Sequence, residues 1–191
     1  ILENCQIAME IDPRFYRKNL TIILNEFNFN RISLGVQDFS QNVQTLINRT
    51  QSFETTKEII THFRKNNIHN INIDLMYGLP KQTVLTFSNT LKKIIELEPD
   101  RVSVFGYGHV PWIKKHQQLI KDIPLNNESR LIFSQLAYDC LKNNGYEVIG
   151  IDHYAKKSSL IIHKLKEKKL QRNFQGYTED KASVLIGVGA S

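Results

Sequence analysis

Cysteine is scarce in this chain: Cys5 and Cys140 are the only two in 191 residues. That excludes a disulfide framework and a closely spaced thiolate cluster, and it suits a reducing, cytoplasmic setting. Nine glycines and five prolines are too few for collagen-like or low-complexity sequence. No apolar run approaches the roughly 20 residues of a membrane-spanning helix. A GxxxxGK loop, a GxGxxG after a strand, a GxSxG elbow and HExxH are all missing, so phosphate-loop, dinucleotide, serine-hydrolase and zincin chemistries lack support.

What is present is a globular composition, 41% hydrophobic and 23% charged, of a length that makes one domain or a large part of one. Lys and Arg number 25 against 19 Asp and Glu, a net charge of +6. That balance admits an acidic partner without choosing among nucleic acid, anionic lipid and a polycarboxylate small molecule. The densest basic stretch, Lys156 to Lys169, also holds Leu160, Ile161, Ile162 and Leu165. It reads as an amphipathic helix with a solvated face before it reads as a polyanion site, and no nucleic-acid module accompanies it. The chain starts at Ile1 with no targeting pattern and stops on the apolar run Leu185 to Ser191, so both ends are expected inside folded structure.

Short β-rich apolar runs appear at Gln6 to Ile11, Arg31 to Val36, Ile71 to Met76 and Arg101 to Tyr107. Helix-period segments separate them. Asn19 to Phe27 carries Leu20, Ile23, Leu24 and Phe27; Ser52 is positioned to cap a helix reaching Lys65 that buries Phe53, Ile59, Ile60 and Phe63; Thr83 to Leu97 carries Phe87, Leu91, Ile94 and Ile95. Alternation of strand and helix predicts an α/β fold with four strands of a parallel sheet. After Tyr107 a turn-rich stretch leads to a helix from about Asn126 to Asn143 with Gly145 as its C-cap, and Ile151 to Tyr177 is expected over one end of the sheet. The boundary is placed near 112, with residues 1–112 as sheet core and 113–191 as a mostly helical covering region.

In parallel βα architectures, binding groups collect where the strands end. Here those ends carry Glu10, Gln37, Asp74 and Gly108, with Arg49 available as a fork for a carboxylate. Each carboxylate taken singly is explained by a helix cap or a core-edge hydrogen bond. Together they suit a polar, zwitterionic, ribose-bearing ligand without specifying a reaction. His109 and His153 read as hydrogen-bonding or surface histidines, and Trp112 after Pro111 as a packing anchor.

Seven ordered blocks carry a resemblance. They are Glu10-Ile-Asp-Pro-Arg14, Arg31 to Phe39, Val43-Gln44 with Asn48 to Gln51, Asn72 to Gln82, Pro99 to Phe105, Ile151 to Ala155 and Arg172-Asn-Phe-Gln-Gly-Tyr-Thr178. The chain resembles the oxygen-independent coproporphyrinogen III oxidases, radical S-adenosylmethionine (SAM) enzymes of haem biosynthesis. The Gly-Val-Gln and Asp-Leu-Met-Tyr-Gly-Leu-Pro elements are shared with the wider group. Asn48-Arg49, Asp152 to Ala155 and Arg172 to Thr178 favour the oxidase over haem chaperones or carriers on the same barrel.

The resemblance implies an incomplete radical SAM (β/α)6 barrel with SAM lying across the strand ends, contacted by Glu10, Gln37, Arg49, Asp74 and Gly108. Phe174 and Gln175 match positions near a second SAM, and Phe105 is expected to line the same cavity. It also implies a 4Fe-4S cluster held by three cysteines, and a 5′-deoxyadenosyl radical that takes hydrogen from a propionate so that carbon dioxide leaves and a vinyl group remains. The expected partners are coproporphyrinogen III and a reductant for the cluster, with no nucleic acid or membrane and a monomeric state when intact. Three thiolates close in sequence and a glycine-rich SAM segment are missing from these residues. The expectation is therefore a fragment, inactive by itself and poorly soluble or dynamic because a strand edge is open.

Overall fold

The computed structural model describes residues 6–122, 125–173, 176–182 and 184–189. Four parallel strands form the expected core: β1 (Ala8–Ile11), β2 (Arg31–Gln37), β3 (Asn70–Tyr77) and β4 (Arg101–Gly106), paired in that order. The crossovers are α1 (Lys18–Glu26), then α2 (Gln41–Leu46) with α3 (Phe53–Lys65), then α4 (Val84–Leu97). Ser52 caps α3 by accepting from the Thr55 amide, and Thr83 with Thr86 closes a reciprocal cap on α4. Asn126 likewise accepts from the Ser129 amide at the start of α5 (Asn127–Asn143), and Gly145 follows its end at φ +87°, a conformation glycine adopts at little cost.

The sheet does not stop at β4. Two antiparallel strands, β5 (Tyr146–Gly150) and β6 (His153–Lys156), extend it in the order β1-β2-β3-β4-β6-β5. The segment Ile151 to Tyr177, expected over one end of the sheet, thus has its first strand, β6, inside it. The sequence hides this because the polar His153 and Lys156 bracket a strand of four residues. The basic stretch does hold a helix, α6 (Leu160–Lys166), which buries Ile161 and Ile162. Beyond it, β7 (Gln171–Asn173) and β8 (Gly176–Thr178) form a separate hairpin. The Tyr177 ring occupies the space where a side chain on Gly150 would stand.

The two sheet faces differ in kind. A parallel sheet covered on both sides reads as continuous hydrophobic runs. These strands instead alternate. Ile32, Leu34 and Val36 on β2, Ile71, Ile73 and Leu75 on β3, and Val102 and Val104 on β4 are buried in one core with Leu24, Ile60, Phe63, Phe87, Leu91, Phe133 and Leu141 of the helices. Each such side chain is worth about 1.5–3 kcal/mol when fully buried. The other face is polar and positions the site.

Two sequence expectations about burial fail. On α1, Ile23 and Phe27 are exposed and only Leu24 of the apolar stripe is fully buried. This helix packs against α3, so only one side of it meets the core. Trp112 is 73% exposed and anchors no packing, because its turn carries the ring off the surface. Among the described residues no helix is long and apolar enough to cross a membrane.

Candidate functional site

Strand register builds the polar face in rows. Glu10, Ser33, Asn72 and Arg101 are aligned across β1 to β4, and Gly35, Asp74, Ser103 and His153 across β2, β3, β4 and β6. Because side chains alternate along each strand, both rows project from the face opposite the apolar core. Glu10 and Asp74 therefore lie within strands, on the sheet face, and not in the loops that follow.

Asp74 is the centre of a hydrogen-bonded group. Ser33 Oγ donates to its Oδ2 at 2.8 Å and Asn72 Nδ2 to its Oδ1 at 2.7 Å, while Asn72 Nδ2 also reaches Ser33 Oγ at 2.9 Å. Ser103 Oγ in turn donates to Asn72 Oδ1 at 3.2 Å. The chain of donors fixes both carboxylate oxygens of Asp74 against a cavity of about 210 Å³. Glu10, Arg31, Phe105 and His153 share its walls. The His153 ring packs edge-on between Phe105 and Tyr177 at centroid distances of 5.6 and 5.4 Å, and burial pushes its pKa below the ordinary value.

A second cluster adjoins the first through Gly35. Gln37 sits at φ +70°, where β2 bulges and the Asp38 amide turns back to the Val36 carbonyl at 2.9 Å. Left-handed backbone in a residue with a side chain is strained, and here it re-aims Gln37 beside Gly35. Arg49 Nη2 donates to the Gly35 carbonyl at 2.9 Å and lies 3.1 Å from Asp12 Oδ2. Burial pushes the Asp12 carboxyl up, but the hydrogen bonds from Arg14 and the charge of Arg49 outweigh it, so Asp12 is held below its usual range. The Arg49 Nε is buried and has no acceptor, leaving part of the fork unsatisfied.

The turns behind these residues are pinned from the core. Asp38, fully buried, accepts from the Ser40 amide, from Gln82 Nε2 at 2.6 Å and from Thr90 Oγ1 at 2.8 Å, and burial raises its pKa. Gln44 and Gln51 bond each other's backbone or side chain, and Gln51 Nε2 also holds the Val36 carbonyl at 2.8 Å. No local pattern distinguishes these buried glutamines from surface ones in the sequence.

Of the residues singled out from the sequence, Glu10 and Asp74 share the cavity, while Gln37 and Arg49 meet around Gly35, the register partner of Asp74. Gly108 stands apart from the cavity; its carbonyl accepts from Gln117 Nε2 at 2.9 Å and nothing lies within 4 Å of where a Cβ would be. His109 accepts or donates to the Tyr107 hydroxyl at 3.0 Å. Phe174 and Gln175 lie outside the described residues. Sequence reasoning missed Ser33, Asn72, Ser103, Arg31 and Arg101, although their alternation with Ile, Leu and Val was the signal.

The arrangement brings together a guanidinium with one unsatisfied N–H, a neutral amide and fixed carboxylates on neighbouring strands. An ammonium, a carboxylate and vicinal hydroxyls would each find complementary groups there. A metal cluster would not. Cys140 is half-buried with its thiol pKa pushed up by burial, and among the described residues no group of three His, Cys, Asp or Glu could hold a metal ion.

Comparison with known proteins gives three concordant results. The model of the radical SAM superfamily matches residues 1–94. The oxygen-independent coproporphyrinogen III oxidase of Bradyrhizobium diazoefficiens is 43% identical over 196 residues, and its namesake in Cereibacter sphaeroides 41% over 190. The solved coproporphyrinogen III oxidase of Escherichia coli, a radical SAM enzyme, superposes with a TM-score of 0.93 at 41% identity over 98% of this chain. In each case the match covers well under half of the relative: 43%, 42% and 44% respectively.

Proposed function

We propose that the chain is part of an oxygen-independent coproporphyrinogen III oxidase of the radical SAM superfamily and supplies the SAM-facing and substrate-facing part of it. The reaction is the oxidative decarboxylation of propionate side chains that turns coproporphyrinogen III into protoporphyrinogen IX. The observation that carries the reading is that Glu10 and Asp74 line one cavity while Gln37 and Arg49 converge on Gly35, the register partner of Asp74.

In this reading the Arg49 fork, whose buried Nε lacks an acceptor, pairs with the methionyl carboxylate. Gln37 and Asp74 hold ribose hydroxyls. Asp74 is fixed by Ser33 and Asn72 so that it needs no rearrangement when a ligand arrives. Glu10 accepts from a donor on the same ligand, and the open space at Gly108 admits the adenine or sugar. Phe174 and Gln175 serve a second SAM. When bound, SAM supplies the hydrogen-abstracting chemistry that starts the loss of carbon dioxide.

The 4Fe-4S cluster that accompanies the family does not fit the residues here, because two cysteines cannot provide three thiolates. No step is assigned to it. Residues 1–112 contribute barrel and 113–191 the region that follows it, whose β5 and β6 continue the sheet, in a cytoplasmic protein that draws on a separate reductant.

The test is SAM binding by equilibrium dialysis to the full-length protein that carries this chain, alongside anaerobic turnover of coproporphyrinogen III. Arg49→Ala removes a charge-assisted pair worth about 1.5–3 kcal/mol, so SAM affinity falls about tenfold or more. Unchanged affinity in that variant removes Arg49 from the site, and absence of both binding and turnover in the parent protein overturns the function.

A further inference from the structure

Arg31 opens β2 on the polar face, beneath Ser33. It is 8% exposed and lines the cavity. Among the described residues its one side-chain hydrogen bond runs from Nη1 to Gln6 Oε1 at 3.5 Å, a long contact to a neutral amide. The neighbouring Arg101 is fully engaged by contrast: its Nη2 meets Glu179 at 2.9 and 3.1 Å, and its Nη1 the Tyr177 carbonyl at 3.2 Å. Burial, then the charge of Arg101, lowers the Arg31 pKa to about 10, so the side chain remains a cation at neutral pH.

Among the described residues no carboxylate lies within ion-pair distance of Arg31; Glu179, Asp74 and Glu10 favour its charge only from further off, so this buried cation is incompletely paired, which is costly. The other charged groups on the cavity wall are the carboxylates Asp74, each of whose oxygens accepts one hydrogen bond from Ser33 or Asn72, and Glu10. Both repel an entering anion. Arg31 is the end of the cavity that attracts one. The volume of about 210 Å³ is smaller than the roughly 300–1,000 Å³ of pockets that enclose whole ligands. A carboxylate-bearing arm fits it, and a tetrapyrrole does not.

We propose that Arg31 anchors a carboxylate of the substrate: the cavity takes one propionate arm, its carboxylate on the Arg31 fork and its macrocycle outside. This subsite rests on the oxidase reading given above. In that pose the methylenes of the arm lie in the cavity that Phe105 also lines.

Two titrations on the full-length protein separate the subsite from the reading beneath it. Coproporphyrin III binding is followed by fluorescence, and SAM binding by equilibrium dialysis. In Arg31→Met the porphyrin Kd rises about tenfold or more while SAM affinity stays at the parent value, and Arg31→Lys, which keeps the charge but not the fork, falls between. An unchanged porphyrin Kd in Arg31→Met overturns the anchor while leaving the SAM reading intact. Equal loss of both ligands in Arg31→Met and Arg31→Lys overturns it too, since that marks a general structural effect. A parent protein that binds SAM but no porphyrin removes the substrate assignment and the subsite together.

Discussion

Substituting Gly35 by alanine separates ligand binding from folding at the junction of the two clusters. A Cβ there would lie 3.1 Å from Arg49 Nη2 and 3.2 Å from Gln37 Nε2, against 3.4 Å or more for an ordinary contact. Both neighbours are the far ends of flexible side chains, so each yields by a few tenths of an ångström without moving the backbone. Gly35 does not have positive φ, and replacing glycine at a compatible position stabilises by about 0.4–1 kcal/mol through the unfolded state. The folding free energy of Gly35→Ala is therefore expected within about 1 kcal/mol of the parent. Binding suffers more. Shifting the Arg49 fork by those few tenths of an ångström weakens a charge-assisted hydrogen bond worth about 1.5–3 kcal/mol in full, so SAM affinity falls by up to about tenfold. Equilibrium dialysis and urea denaturation on one preparation read both quantities. Unchanged affinity with unchanged stability would refute the view that Gly35, Gln37 and Arg49 form one binding surface.

Gly108→Ala meets nothing within 4 Å in the protein, so its urea midpoint should match the parent while SAM affinity drops; an unaffected affinity places the adenine and sugar elsewhere. His153 carries a pH dependence whose sign follows from burial. Its folded pKa lies below the ordinary 6.5, so the unfolded chain binds the proton first. Its contribution is fully present above 6.5 and is lost as pH falls from there through the folded value. His153→Phe, which keeps a ring between Phe105 and Tyr177, should lose less stability than the parent between about pH 7.5 and about pH 5.5. Equal losses in urea melts at those two pH values would show that the ring titrates freely.

The helices and the parallel strands were legible because each announces itself locally. Ser52 and Thr83 precede apolar residues at helical spacing, and Gly145 follows the last turn of α5. The antiparallel extension was not. β6 has four residues and takes its place only by pairing with β4 and β5, partners that no local pattern names. Similarly, Glu10, Gln37, Arg49 and Asp74 stood out by residue type, whereas Ser33, Asn72 and Ser103 looked like ordinary strand residues. Their value comes from alignment across strands that are far apart in the chain, Ser103 and Asn72 being separated by 31 positions and Asn72 and Ser33 by 39.

By itself the sequence determined which faces could be buried and which family's motifs the strands carry, since hydrophobic periodicity and residue identity are local properties of the chain. Tertiary structure alone decided that Gly35 joins the two halves of the site, that Arg101 is neutralised by Glu179 and that Arg31 is left facing a cavity. Those outcomes depend on register, bulge and hairpin placement, which are set by the collective packing of distant segments and have no signature in any short stretch of residues.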